Sequence, residues 1–420
     1  MGKTLRFTIV CTGLLLSTAA CGGGGSNSDG GGTGGTSSVG TTTVELFSWW
    51  TAPGEAEALQ ALVDLQKVRF PKERIYNAAA DSGTDAKATL KTRLADNDPP
   101  DLFQQNAHDM RVLLDANPGK VEPLDEFFAD HELGKAIVPE IIEDVTVEGH
   151  IYSLPVNVHR ENSLFYNKQI FAKNGLEPPK TLEQFFTVCE TLKKAGVTPV
   201  ATSQQGWITR ILFNSLAMGS MGPEAFRDYW SGKSALDEAA MGKAVDVLDR
   251  VLTDYANDTT DPEFGWTEAA ESVFEGKAAM FLHGDWAKGY FVQLGWTPDV
   301  DFGVVGAPGA SDMFWYGVDV FAVPSGAPHA SAAYDFLSTV SSVDGQIAFN
   351  SIKGSSPMRL DVPPNKLDAM GQRVLADLNG AKFRMLVRGK DAWDTALGDF
   401  NKSHDKAAVI QAYKDNAPDK

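Results

Sequence analysis

The chain has 420 residues, a formal net charge of −18 and 43% hydrophobic residues, with nine tryptophans among them. An acidic chain is repelled by nucleic acid and by anionic membrane surfaces, which disfavours both as partners. Its length exceeds the roughly 250–300 residues at which single cores stop growing, so two lobes are expected.

In chain order, Lys3 and Arg6 precede an apolar run over residues 7–16 and the small residues Ser17-Thr18-Ala19-Ala20. This is the make-up of an export signal, and the run falls short of the about 20 apolar residues that a membrane-spanning helix needs. Residues 16–22, Leu-Ser-Thr-Ala-Ala-Cys-Gly, resemble a bacterial lipobox. That resemblance implies removal of residues 1–20, lipidation of Cys21, and a protein held at the cell envelope, in the periplasm or on the outer face of the membrane. A plain secretory signal that contains a cysteine is the other reading. Residues 21–43, rich in Gly, Ser and Thr, read as a flexible tether with an end-to-end distance of about 25 Å. Of the three cysteines, Cys11 leaves with the signal and Cys21 is the anchor. Cys189 then has no internal disulfide partner, and its place in an apolar helical stripe predicts an inert core thiol.

Beyond the tether, strand formers over residues 43–50 lead to a Pro53-Gly54 turn, then to a helix that Pro71 stops. A second helix carries Ala86, Leu90 and Leu94, Asp98-Pro99-Pro100 breaks it, and a short strand follows at 101–104. This rhythm predicts an α/β lobe. Another strand is expected at 151–158, interrupted by Pro155. Thr181 and Gln184 form a capping box for a helix closed by Gly196. Strands are expected at 199–202, 278–282, 301–305 and 318–323, and helices at 238–255, 267–275 and 330–340. Beyond Lys366 the pattern reads as helical to the end.

No nucleophile elbow, HExxH, paired CxxC or phosphate loop occurs, and His150, His159 and His283 lack the spacing of a metal site. Neither a metal nor a cofactor is expected. The aromatics are more informative. Trp49-Trp50 ends the first strand, at the edge where open α/β sheets place ligands, and adjacent strand residues point to opposite faces. One ring facing a cleft and both rings in the core are the open alternatives. Trp207, Trp286 and Trp315-Tyr316 each stand beside a glycine. A pyranose offers apolar C–H faces and a rim of hydroxyls, which flat aromatic rings and Asp285, Asp319, Asn157 and Lys353 would complement.

Several segments carry a resemblance in the same order as in a known family. They are Phe47-Ser-Trp-Trp50, Leu90-Lys-Thr-Arg93, Asp98-Pro-Pro-Asp-Leu-Phe-Gln104 and Leu154-Pro-Val-Asn-Val-His-Arg160. Gly276-Lys-Ala-Ala-Met280, Gly284-Asp-Trp286 and Lys353-Gly-Ser355 continue the series. From Val44 to at least Arg388 the chain resembles the family-1 extracellular solute-binding proteins of ABC sugar importers, and within them the glucose/galactose-binding members. The resemblance implies an α/β, two-lobed periplasmic-binding-protein fold, type II-like, with hinge crossings and an interlobe ligand cleft. It divides the chain into a first lobe of residues 44–154 plus about 314–342 and a second of 155–313 plus about 343–420.

The resemblance also implies roles. Trp49 and Trp50 would stack on the sugar, with Glu55 as an acceptor just after them. Lys91, Gln104, Asp285 and Lys353 would bind hydroxyls, Trp207 would be a second-lobe aromatic, and Asn157 and His159 would line the cleft floor. Asn106 and Arg388 stand where the nearest family members carry histidines, so the sugar need not be glucose. A monosaccharide, a small oligosaccharide or a polyol would be passed to the transmembrane subunits of an ABC permease, with the binding chain a monomer and no enzyme. Other roles stay open for single residues: Lys91 as a solvated helix residue, Glu55 at a helix N-terminus, Asp285 as a cap, His159 as a structural histidine. Two other functions compete. One is an exported glycoside hydrolase using Glu55 and Asp285. The other is a quaternary ammonium receptor with a tryptophan cage, which would not need Lys91 and Lys353.

Overall fold

The computed structural model describes residues 41–80, 82–258, 261, 263–310 and 312–417. The export signal, Cys21 and the tether up to residue 40 lie outside the described residues.

Fourteen strands are described. They are β1 (Thr42–Phe47), β2 (Glu73–Asn77), β3 (Leu102–Asn106), β4 (Thr146–Val147), β5 (His150–Ile151), β6 (Leu154–Pro155) and β7 (His159–Arg160). They continue as β8 (Ser163–Asn167), β9 (Thr198–Ala201), β10 (Ala278–His283), β11 (Phe302–Gly306), β12 (Met313–Gly317), β13 (Asp319–Ala322) and β14 (Phe383–Leu386). The first sheet has the order β2-β1-β3-β13-β6, with β1 parallel to β2 and β3, and β13 antiparallel to β3 and β6. The second has the order β11-β8-β10-β9, where only β10 and β9 run parallel. A third, of three strands, is β14-β12-β7, and β4-β5 is a hairpin.

β1 forms because its β-branched and apolar residues alternate with polar ones. Val44 and Leu46 are fully buried while Thr43 is exposed. Gly54, at φ +88°, turns the chain into the helix Glu55–Arg69, which carries it back to the parallel strand β2. The chain passes from the first sheet to the second between β6 and β8 and returns between β11 and β13. The two crossings meet as β7 and β12, an antiparallel pair with Tyr316 opposite Arg160 and Gly317 opposite His159. Along β12 the side chains alternate between two cores. Phe314 and Tyr316 join the cluster built on the first sheet, and Met313 and Trp315 join the one on the second. A third cluster, around Phe165, Phe281, Phe291 and Phe302, also packs against the second sheet.

Three expectations need correcting. The strand expected at 151–158 is only two short fragments, β5 and β6, with β7 starting just beyond it at His159, because the crossing spends its backbone groups on neighbours on both sides. The tail beyond Lys366 is not helical throughout, since Phe383–Leu386 is a strand running parallel to β12. Finally, the helix Val343–Lys353 packs along Glu55–Arg69, and its Phe349 lies in the first core against Trp50. That segment therefore belongs with the first lobe, not with the second as the boundary at 343 implied. The helices Asp391–Ser403 and Lys406–Asp415 pack on Gly206–Met221 and Glu238–Asp254 in the second lobe. Cys189 is fully buried on Leu182–Lys194, and burial pushes its thiol pKa up.

Candidate functional site

The crossing brings four chain segments to one point. β13 places Asp319 opposite Asn106 and Phe321 opposite Gln104 on β3. On the other side of β13, the crossing strand β6 leads into Asn157 and His159. β10 ends at His283, and Gly284 then turns the chain so that Asp285 enters from the second lobe.

Asp319 is the hub. Its Oδ1 accepts from Gln104 Nε2 at 3.4 Å and Asn106 Nδ2 at 3.1 Å. Its Oδ2 accepts from Asn157 Nδ2 at 3.1 Å and His159 Nε2 at 3.0 Å. His159 Nδ1 reaches Asp285 Oδ1 at 2.5 Å, and Asp285 Oδ2 accepts the Arg160 backbone N–H at 2.8 Å. His159 is almost fully buried. Burial alone would lower its pKa, but the carboxylates of Asp285 and Asp319 outweigh it and hold the ring at about 9. Conversely, burial would raise Asp319, yet the hydrogen bond and charge of His159 bring it to about 2. At neutral pH this centre is an imidazolium between two carboxylates. Every lone-pair direction of Asp319 is engaged, so its role is to orient its neighbours.

Around this hub stand aromatic and charged groups. Trp49 is half-buried, its backbone N–H donates to Gln104 Oε1 at 3.1 Å, and Lys87 Nζ lies 5.6 Å from its ring centre. Trp50, only 1% exposed, packs on Phe321 and Phe349 instead. The pair stands just past β1, which ends at Phe47, and splits into one half-buried ring and one core ring, so stacking of both on a ligand is not what the structure offers. Glu55 forms an ion pair with buried Lys353, whose ammonium lies 5.6 Å from the Trp50 ring centre. On the second lobe, Trp286 meets His159 edge-on at 5.0 Å and His283 at 4.8 Å. Trp207 and Trp266 flank the same His283, and all three tryptophans are half-buried. Burial lowers His283 to about 3, so it stays neutral and acts as one more flat ring in this wall.

One expected position falls elsewhere. Lys91 is exposed on the helix Gly83–Ala95. The lysine that enters the site is Lys87, one turn earlier, which donates to Asn106 Oδ1 at 2.9 Å and Asp109 Oδ2 at 2.6 Å. A spacing of four places both lysines near one helix face, so sequence periodicity alone could not choose between them. Arg388 follows β14, where its charge lowers the pKa of Asp144 against the larger effect of burial. Lys87, His108, Asp109, Glu161, Arg210 and Asp394 were missed in the sequence. Arg210 carried a usable signal, standing three residues after Trp207 on one helix. Among the described residues no cluster of His, Cys, Asp or Glu is arranged to hold a metal, and no helix is long and apolar enough to cross a membrane.

Two α/β lobes joined by paired crossings, with a polar centre at the crossing and aromatic walls above it, define a two-lobed solute-binding protein. The family model for bacterial extracellular solute-binding proteins matches residues 40–347, and the chain belongs to that family, whose members bind solutes and are not enzymes. An uncharacterized ABC transporter extracellular-binding protein of Pyrococcus horikoshii is 32% identical over 369 residues, covering 85% of this chain and 82% of the relative. A probable sugar-binding periplasmic protein of Mesorhizobium japonicum is 32% identical over 384 residues, covering 89% and 87%. Among solved structures, the bacterial solute receptor AcbH, described as having an exclusive preference for β-D-galactopyranose, superposes with a TM-score of 0.76. Its identity is 16%, with coverage of 90% of this chain and 98% of the receptor. The two-lobed fold is therefore the one these proteins share.

Proposed function

We propose that this chain captures a neutral sugar at the Asp319–His159–Asp285 centre and delivers it to the transmembrane subunits of an ABC importer. It would work as a monomer held at the envelope by a lipid on Cys21. One observation carries the sugar reading. Amide and carboxylate groups converge at the crossing between half-buried tryptophan rings, while each cation beside them is paired with an acid. His159 faces Asp285 and Asp319, Lys87 faces Asp109, Lys353 faces Glu55, and Arg210 faces Asp394. Such a site has polar edges and flat apolar faces without a surplus of either charge, which suits a hydroxyl-rich ring better than an ion.

Two relationships support the reading. The Mesorhizobium relative is named as sugar-binding, and the 27% identical Haloferax volcanii relative as xylose/arabinose-binding. The pairing also argues against the two competing functions. A glycoside hydrolase needs one carboxylate as an acid and another as base or nucleophile, but Glu55 and Asp285 are each tied to a cation. A quaternary ammonium cage gains nothing from lysines at its rim.

Intrinsic tryptophan fluorescence and thermal shift with hexoses, pentoses, disaccharides, choline and betaine test this. A micromolar response, about 8 kcal/mol of binding, is expected for at least one sugar. It should be lost in Trp49→Ala and weakened at least tenfold in Asp285→Asn. A response to betaine or choline alone would sink the sugar assignment.

A further inference from the structure

β11 is the outer strand of the second sheet, paired with β8 alone. In that antiparallel pair Ala307 N donates to Asn162 O at 2.9 Å and Lys168 N to Asp301 O at 3.0 Å, so the odd-numbered positions turn their backbone groups toward β8. Val304 and Gly306 turn theirs the other way, and among the described residues no backbone group pairs with them there. An open edge of this kind offers both N–H donors and C=O acceptors.

The edge lines a cavity of about 310 Å³, together with Val374, Ala376 and Asp377 of the helix Ala369–Gly380. Such a volume lies at the low end for small-ligand pockets, about 300–1,000 Å³. Arg160 lines it too and is only 4% exposed. Its Nε donates to Asn162 Oδ1 at 3.3 Å and its Nη1 to Asp377 Oδ2 at 2.5 Å. Its Nη2 has no hydrogen-bond partner among the described residues and stands at Gly306, where an added Cβ would lie 2.5 Å from it. Asp377 uses Oδ2 alone, and its side chain is 55% exposed, which leaves Oδ1 open. The Arg160 backbone meanwhile donates to Asp285 Oδ2 at 2.8 Å and accepts from Asp285 N at 2.9 Å, so the cavity and the Asp319 centre meet at one residue.

Arg160 and Asp377 thus form an ion pair with one charged donor and one charged acceptor left over, side by side. A simple anion would answer only the donor, a simple cation only the acceptor, and a neutral polyol would leave both charges to weaker hydroxyl bonds. A molecule that carries a carboxylate and an ammonium on one carbon answers both at once and adds no net charge. The free edge helps, with its N–H groups turned to the carboxylate and its C=O groups to the ammonium. Val304, Val374 and Ala376 then leave an apolar surface for a side chain. A peptide fits less well, because each extended residue moves its two termini about 3.3 Å further apart, while Arg160 and Asp377 are in direct contact.

We propose that this cavity binds a free α-amino acid with an apolar side chain, its carboxylate on Arg160 Nη2 and its ammonium on Asp377 Oδ1. The site stands whether or not the cleft binds a sugar. Isothermal titration of the full chain with L-valine, L-leucine, L-methionine and L-phenylalanine tests it, with the tripeptide Ala-Val-Val as a control. At least one of the four is expected to bind. Its amide, which lacks the carboxylate, and its deamino acid, which lacks the ammonium, should each bind about tenfold or more weakly. Asp377→Asn removes the ammonium partner, and Ala376→Trp fills the cavity from an exposed helix position. Each should cut the affinity about tenfold or more, with folding checked by circular dichroism. Arg160→Gln should abolish binding, and should that buried change prevent folding, the two surface variants carry the test. Binding of none of the four at millimolar concentration, or binding that neither surface variant changes, overturns the site. A tripeptide, an amide or a deamino acid that binds as tightly as the amino acid overturns the assignment of its ligand.

Discussion

Lys87 and Lys91 separate two roles that one helix turn can exchange. Both carry the same charge on the helix Gly83–Ala95, yet only Lys87 bonds Asn106 and Asp109 and lies over the Trp49 ring. An ammonium fixed by a carboxylate and an amide keeps a defined third donor direction for a ligand oxygen, whereas an exposed lysine spends its donors on water. Lys87→Ala is therefore expected to weaken sugar binding about tenfold or more, and Lys91→Ala to change it by less than twofold. Equal losses in the two variants, measured by titration, would return Lys91 to the site. Gly83 packs beside this ring, and a Cβ there would lie 3.6 Å from Trp49, in ordinary contact.

At the level of elements, the second lobe depends on a close crossing between Gly206–Met221 and Asp391–Ser403. A Cβ at Gly206 would overlap the Asp394 carbonyl, and one at Gly398 would press on Gly206 at 3.4 Å. Gly206→Ala must push the helices apart and disturb the Arg210–Asp394 pair, so a loss of about 2–4 kcal/mol is expected. At Gly242, inside Glu238–Asp254, a Cβ would meet only Ile410 Cδ1, at 3.9 Å. Gly242→Ala should stabilise by about 0.5–1 kcal/mol through helix propensity. Urea denaturation of the two variants decides, and similar effects from both would mean that the crossing is not tight. This crossing was invisible in the sequence, where a buried helix such as Gly206–Met221 shows no polar face to give it a period. Amphipathic elements were legible: Thr181 caps Leu182–Lys194 by accepting from Gln184 N at 3.2 Å, and Gly276 closes Trp266–Phe274 at φ +74°. The Gln184 side chain, however, reaches Lys180 N, one residue before the expected cap. Of the site, Gln104, Asn106, Asn157, His159, Asp285 and Asp319 were named from sequence and do meet in one network. Lys87, His108 and Arg210 were not, because which face a helix turns to a cleft depends on the partner helix, which lies far along the chain.

Across the whole molecule, buried ionised groups at the lobe crossing tie stability to pH. Glu161 sits between the crossings, close enough to Gly317 that a Cβ there would stand 2.6 Å from its Oε1. Burial raises its pKa to about 7, despite the opposing charges of Arg210 and His159. The folded state thus holds a proton that the unfolded chain releases near 4.5. The stability this confers is complete below about pH 4.5 and is lost as pH rises through 7. His159 acts in the same direction at higher pH, with a contribution complete below about 6.5 and lost as pH rises through 9. Asp319 and Asp109, both depressed to about 2, act oppositely, stabilising above the ordinary carboxylate range and failing as pH falls toward 2. These groups together place maximal stability near pH 4.5, with a decline of about 1–3 kcal/mol per group toward pH 9.5, from Glu161 up to pH 7 and from His159 above it. Salt should move this decline little, because buried pairs are weakly screened. Glu161→Gln removes one titration without removing volume, so it should flatten the fall in Tm between pH 5 and 7 and leave the fall between 7 and 9.5 in place. Unfolding followed by circular dichroism from pH 4 to 10 resolves the two segments. A wild-type Tm that rises from pH 6.5 to 9, or a Glu161→Gln profile parallel to the wild type below pH 7, would show that the crossing does not carry these protons. The acidic limb gives an internal control, since Asp109→Asn should remove part of the loss below pH 4 and leave the basic limb as it was.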